Sequence, residues 1–270
     1  MFYYDAHCHL QDRRLKPFLP EIVDAISRSN IKLISVCGSE EKDWQDVAEL
    51  SKKYNWIVPS FGVHPWYVKD ISNHWFDNLL KYLDEYNCGV GEIGLDTWIK
   101  GYDIELQEAV FVRQLKIAAE RNIPASIHCV KAWDRLVKIL KTNPLPWCGF
   151  LIHSYGGLKN YIKPLYELGA YFSFPGYYAN EKKVEQRESF KEIPIERLLI
   201  ETDAPDQLPP DFLNKHPLFD ENRKRPLNHP LNLIPIYEFT AQLLGLHKLH
   251  EIVEENFLRL FSDVIGGRSE

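Results

Sequence analysis

Asp5-Ala6-His7-Cys8-His9 follows a short run of strand formers, Phe2-Tyr3-Tyr4, at the start of the chain. Residues two apart on a strand share a face, so His7 and His9 project together and can offer neutral imidazole nitrogens to one ion. Two ligands make half a site, because a divalent metal takes four or more. Donors of the same kind recur down the chain as His64, Glu92, His128, His153 and Asp203. Five or six nitrogen and oxygen donors exceed what one tetrahedral zinc needs, and they suit two ions about 3.5–4 Å apart with a carboxylate between them. Glu92, in Gly91-Glu92-Ile93-Gly94-Leu95-Asp96, is the expected bridge, its glycines allowing close packing and leaving room for ions. Asp203 is expected to bind one ion and to take a proton from the attacking water. Cys8 and Cys129, beside histidines, fall on the opposite strand faces and read as packing residues.

These residues meet only if several strand ends converge. Short β-rich runs are predicted at 2–6, 32–37, 56–62, 88–93, 124–128, 149–153, 170–174 and 197–202. Amphipathic helices are predicted between and after them at 20–29, 41–54 (capped at Ser39), 75–86, 105–121, 132–141, 158–168, 181–191, 231–244 and 249–261. Eight β/α units without a composition break make a single (β/α)8 TIM barrel with an additional C-terminal helix the expected α/β fold, one domain over 1–270. No Gly-x-Gly-x-x-Gly follows the first strand, which counts against a doubly wound open sheet. In a barrel the C-terminal strand ends share one mouth, and every donor named above lies at or just past such an end. The Pro-rich stretch 205–230 is expected to lie over that mouth as an irregular loop.

Composition narrows the class. Hydrophobic residues make up 45% of the 270, enough for a large core, and no apolar run approaches the roughly 18 residues of a membrane span. Five widely spaced cysteines without a Cys-x-x-Cys pair suit a reducing cytoplasm, the expected location. The chain opens directly on a strand, so no signal peptide is expected. A net charge of −6 argues against non-specific coating of nucleic acid.

The motifs Asp-Ala-His-Cys-His-Leu, Gly-Val-His-Pro, Gly-Glu-Ile-Gly-Leu-Asp, Ile-His-Cys, Leu-Ile-His-Ser, Glu-Thr-Asp-Ala-Pro and Asn-His-Pro-Leu-Asn-Leu occur in that order, with Glu-Asn-Phe-Leu-Arg-Leu-Phe at 255–261. Together they resemble the TatD family of metal-dependent hydrolases, a branch of the amidohydrolase-like TIM barrels, from end to end. The resemblance implies a Mg2+-dependent deoxyribonuclease with 3′–5′ exonuclease activity. It marks His7, His9, Glu92, His128, His153 and Asp203 as metal residues, and His64 as facing the substrate phosphate. The chain departs from the family at Val130-Lys131, where many members carry Arg two residues after the strand-five His. It also departs at Thr97, at His153-Ser154-Tyr155-Gly156-Gly157 and in lacking an Arg-Gly pair before Asn-x-Pro.

The expected activity is therefore that of a two-metal phosphodiesterase, using Mg2+ or Mn2+, with Zn2+ as the alternative. Its expected partners are nucleic acid ends or a small phosphodiester, with no membrane; a monomer is the default expectation. Lys131, with Arg223–Arg225 as further candidates, is placed to hold phosphate, and Trp66, Trp98, Trp133 and Tyr155 are placed to stack on bases or to pack. An amidohydrolase, a lactonase or an aminoacyl-ester hydrolase with the same cage is the alternative reaction, and a non-catalytic barrel the third reading. Most binuclear amidohydrolases bridge their metals with a modified Lys on strand four, where this chain has Glu92.

Overall fold

Isoleucine, leucine, valine and phenylalanine fill the strands, which are largely buried on both faces and pair in parallel in chain order. The eight are β1 (Tyr3–Cys8), β2 (Ile31–Cys37), β3 (Ile57–Phe61), β4 (Gly89–Asp96), β5 (Ala125–Val130), β6 (Phe150–Ile152), β7 (Ala170–Pro175) and β8 (Leu198–Glu201). The computed structural model describes residues 1–221 and 224–266. Helices α1 (Leu19–Ser27), α2 (Trp44–Lys53), α3 (Trp75–Glu85), α4 (Ile104–Arg121), α5 (Trp133–Thr142), α6 (Lys159–Glu167) and α7 (Val184–Phe190) return the chain between strands. After β8 come α8 (Leu233–Leu244), α9 (Leu249–Leu260) and the short α10 (Ser262–Ile265), so the expected (β/α)8 barrel carries its extra C-terminal helix. Among the described residues no helix is long and apolar enough to cross a membrane.

The ring closes where the last strand meets the first. Asp203 N–H donates to the His7 carbonyl at 3.0 Å, and His9 N–H donates to the Ala204 carbonyl at 2.8 Å. Lower on the seam, the buried Asp5 carboxylate accepts from the Thr202 amide at 2.9 Å and from the Thr202 hydroxyl at 2.6 Å. Tyr237 on α8 fills the remaining gap, accepting from Tyr4 N–H at 3.1 Å and donating to Tyr4 O at 2.9 Å. Asn256 on α9 pins the entry to β8 by donating to the carbonyls of Ile195 and Leu198. Without these side chains the edges of β1 and β8 would leave buried backbone groups unpaired, which costs about 1–3 kcal/mol each.

Two expectations change. Helix α2 is not capped at Ser39: the Asp43 carboxylate accepts from the amides of Ser39 and Glu40, holds 39–43 as a turn and delays the helix to Trp44. The stretch 205–230 is only partly irregular, because β9 (Leu218–Asp220) and β10 (Arg225–Leu227) form an antiparallel ribbon. Three-residue strands are too short for a two-residue alternation to show in sequence.

Candidate metal centre

Glu92 lies in the middle of the barrel mouth, buried, with imidazoles on both sides. Its Oε1 is 2.8 Å from His153 Nε2, 3.0 Å from His128 Nδ1 and 3.3 Å from His64 Nε2. Its Oε2 is 3.1 Å from His9 Nε2 and 3.5 Å from His7 Nε2. Asp203 stands over the second group, with Oδ1 3.5 Å from His9 Nε2 and 3.7 Å from His7 Nε2. All six residues named from the motifs thus converge, and His64 joins them. Lys131 lines the same cleft at the end of β5 with φ 55°, and among the described residues no carboxylate pairs with it.

The backbone brings them together through strand parity and close approach. Asp5, His7 and His9 share the inner face of β1, whereas Tyr4 and Cys8 point out toward α9 and the 204 carbonyl. Gly94 pairs with His128 across β4 and β5 at φ 142°, and a Cβ there would run into the His128 carbonyl. A Cβ at Gly91 would lie 2.8 Å from the Ser126 Cβ. The space these glycines leave lets β4 and β5 approach closely, as expected.

Three of the imidazoles are held from behind. His9 Nδ1 meets the Cys37 carbonyl at 2.8 Å, which obliges that nitrogen to carry the hydrogen and leaves a lone pair at Nε2. His128 Nε2 meets Asp96 Oδ2 at 3.1 Å, which leaves a lone pair at Nδ1. His7 Nδ1 meets the Ser126 hydroxyl at 2.8 Å. Behind His153, Nδ1 and the Glu201 Oε1 are both buried without a hydrogen-bond partner, 3.6 Å apart. His64 differs: its Nδ1 accepts from Trp66 N–H at 3.1 Å, so Nε2 carries the hydrogen and acts as a donor.

The donor set fits divalent cations. Lone pairs on His9 Nε2 and His128 Nδ1 face carboxylate oxygens about 3 Å away, and two acceptors at that range require a proton or a metal cation between them. With protons alone, burial pushes Glu92 up, but His64, His153 and His128 outweigh it and hold the carboxyl well below the usual range. Burial likewise pushes His9 down, and Asp203 and Glu92 overcome it and raise it well above an ordinary imidazole. Burial and His7 lower His153, yet Glu92 and Glu201 carry it up to about 9. His64, dominated by burial, falls to about 4 and stays neutral. Among the described residues three groups could each hold an ion: His7, His9 and Glu92; His7, His153 and Asp203; and His64, Glu92 and His128. The tautomer of His64 counts against it as a ligand.

Around this centre the cleft encloses about 1180 Å3. Trp66 and Trp98 stand on its rim, 44% and 63% exposed, whereas Tyr155 is fully buried and donates to the Leu158 carbonyl, so Tyr155 packs. Trp133 stacks on Tyr161 and meets Tyr155 edge-on. Arg14 on the rim is already neutralised, bonding Asp12 at 2.6 Å and Asp206 at 2.5 Å. Of the further phosphate candidates, Arg225 lies 3.8 Å from Asp206, and Arg223 lies outside the described residues.

Four residues with positions in the site escaped the sequence reading. Asp96 and Ser126 had a signal, since each is an even number of residues from Glu92 or His128 on its strand. Glu201, two before Asp203, had the same signal. Asn228 donates to the Thr202 carbonyl at 2.7 Å and so holds the loop that carries Asp203. Its only signal was membership of the Asn-His-Pro motif.

Comparison with known proteins gives one family. The model described as TatD related DNase matches residues 4–262. An uncharacterized metal-dependent hydrolase of Buchnera aphidicola is 30% identical over 277 residues, covering 97% of this chain and 100% of that protein. The 3′-5′ ssDNA/RNA exonuclease TatD of Escherichia fergusonii is 30% identical over 241 residues, covering 86% of this chain and 89% of that protein. The crystal structure of YJJV, a TatD homologue from Escherichia coli K12, shares the fold with a TM-score of 0.85 at 23% identity, covering 96% of this chain and 98% of that one.

Proposed function

The chain belongs to the TatD related DNase family of metal-dependent hydrolases, and from that premise we propose that it is a single-domain enzyme, over 1–270, that cleaves phosphodiesters at nucleic acid ends in the 3′–5′ direction. One observation carries the reading: the two oxygens of Glu92 face two different sets of imidazoles, His128 and His153 on one side, His7 and His9 on the other. His7, His9 and Asp203 with Glu92 Oε2 would hold one ion, and His128 and His153 with Glu92 Oε1 the other. Bound there, Mg2+ or Mn2+ would neutralise charge on the phosphoryl oxygens and make water at the site more acidic.

The protein's own groups do the rest. Asp203 accepts the proton of the attacking water at a carboxylate oxygen that faces the cleft. The neutral His64 donates from Nε2 to a phosphoryl oxygen, and Lys131 holds a neighbouring phosphate as a point charge. Trp66 and Trp98 offer exposed faces on which bases can stack. The relative from Escherichia fergusonii is named as acting on single-stranded DNA and RNA, and the same substrate class suits this cleft. The five free cysteines suit work in the cytoplasm.

A panel of single-stranded and duplex oligonucleotides, small phosphodiesters, amides and lactones, each with Mg2+, Mn2+ and Zn2+, tests the reading. Phosphodiester cleavage that EDTA abolishes and Mg2+ or Mn2+ restores is expected. Turnover confined to amides or lactones would overturn it.

A further inference from the structure

Asp96 ends β4 on the same inner face as Glu92, four residues on, and is fully buried. Its Oδ1 accepts from the amides of Trp98 at 2.7 Å and Ile99 at 3.3 Å. Its Oδ2 accepts from the Trp66 indole at 2.7 Å and faces His128 Nε2 at 3.1 Å. The main chain is clamped as well: Asp96 N–H donates to Gln107 Oε1 at 2.9 Å and Asp96 O accepts from Gln107 Nε2 at 3.0 Å. Each oxygen thus serves two donors, which is the full capacity of an ionised carboxylate. The group has no freedom to turn.

We propose that Asp96 is a positioning residue: its Oδ2 fixes His128 as the Nε2–H tautomer, turning the Nδ1 lone pair toward Glu92, and ties that imidazole to the Trp66 indole on the cleft rim. This rests on the reading of His128 as an ion-holding residue. The argument is one of acceptor count. Two main-chain donors at Oδ1 cannot move away, because they belong to the turn that leaves β4. In Asp96→Asn the amide oxygen is therefore kept by Trp98 and Ile99, and the amide NH2 is turned on Trp66 and His128. Two N–H groups then oppose an NH2. The indole has no other form, so the imidazole relieves the conflict by moving its hydrogen to Nδ1. There, 3.0 Å from Glu92 Oε1, it forms a hydrogen bond and has no lone pair to offer an ion. Trp66→Phe removes one donor from Oδ2 and leaves the carboxylate on His128, so it should change the rim and spare the tautomer.

The test uses the full chain, labelled with 15N-histidine, near pH ~8 where an ordinary imidazole is neutral, with diamagnetic Mg2+ at a concentration that saturates wild type, so that a cation and not a proton lies between His128 Nδ1 and Glu92. Long-range 1H–15N spectra report the tautomer, with His128 assigned through His128→Gln. Wild type and Trp66→Phe should show His128 as Nε2–H, and Asp96→Asn should show Nδ1–H. Mn2+ titration of the metal-free chain, followed by electron paramagnetic resonance, should give two ions in wild type and Trp66→Phe. In Asp96→Asn one ion should bind as in wild type and the other about 10–100-fold more weakly. Wild-type His128 as Nδ1–H would overturn the proposal, whether or not any variant folds. So would an unchanged tautomer or unchanged Mn2+ affinities in Asp96→Asn. Wild-type protein with the expected tautomer but no bound Mn2+ would leave Asp96 in its role and overturn the two-ion reading instead.

Discussion

The amide of Asp203 donates to the carbonyl of His7 at 3.0 Å, joining the last strand of the barrel to the first. Closure of the barrel and assembly of the site are therefore the same event. Asp203 has a left-handed φ of 53° there, and the turn it makes swings its carboxylate over His7 and His9. Asn228 clamps the same turn from the other side.

Asn228→Ala should expose what that clamp contributes. It removes the side-chain donor to the Thr202 carbonyl and one of the two acceptors of the Asn232 side-chain amide, which keeps Asn214, in a buried setting. A loss of about 2–4 kcal/mol is expected in urea unfolding, with turnover falling further than the lost folded fraction explains. Unchanged stability would mean that the loop is held elsewhere.

Asp203→Asn should keep the fold and much of the ion binding, since an amide oxygen can still reach an ion. It cannot take a proton, so turnover should fall by about 10²–10⁴-fold with a small change in KM. Near-normal steady-state rates would remove Asp203 from the base role.

Glu92→Ala should lower occupancy of both ions and abolish activity, whereas His153→Ala should leave one ion bound. Elemental analysis, or anomalous diffraction from Mn2+-soaked crystals, counts them. Two full ions in Glu92→Ala would show that another residue joins them.

Protons and divalent ions compete for the same lone pairs. His153 is raised to about 9 from its usual 6.5 in the metal-free fold. Its charged form therefore contributes stability that is full below about 6.5 and lost as pH rises through about 9. The increase in Tm on adding Mn2+ should be small at the acid end of that window and grow toward the alkaline end. An increase independent of pH would contradict the competition.

Binding to long blunt duplex should be weak. The chain carries a net −6, and Arg14 on the rim is already paired with Asp12 and Asp206, so few counterions are released on binding. Short or single-stranded ends that enter the cleft should be preferred, and Lys131→Ala should weaken them with a shallow salt dependence. Tight, steeply salt-dependent duplex binding in a filter assay would run against this.

Residue types and strand parity carried most of this protein. His7 and His9 two apart, Glu92 between glycines, and histidines at the ends of β5 and β6 are legible because side chains alternate along a strand and because parallel β/α units bring their C-terminal ends to one mouth. What the linear chain does not contain is the far side of each imidazole. Asp96 behind His128 and Ser126 behind His7 become partners only when neighbouring strands take their register, and the same register brings Glu201 to within 3.6 Å of His153. Tautomers follow from those partners: His64 resembles the other histidines in sequence, yet one amide, that of Trp66, makes it a donor. The division of Glu92 into two faces is likewise a property of the closed ring. Local periodicity determines which way a side chain points, whereas which atoms it meets depends on contacts between distant segments, and only the barrel brings those into hydrogen-bonding range.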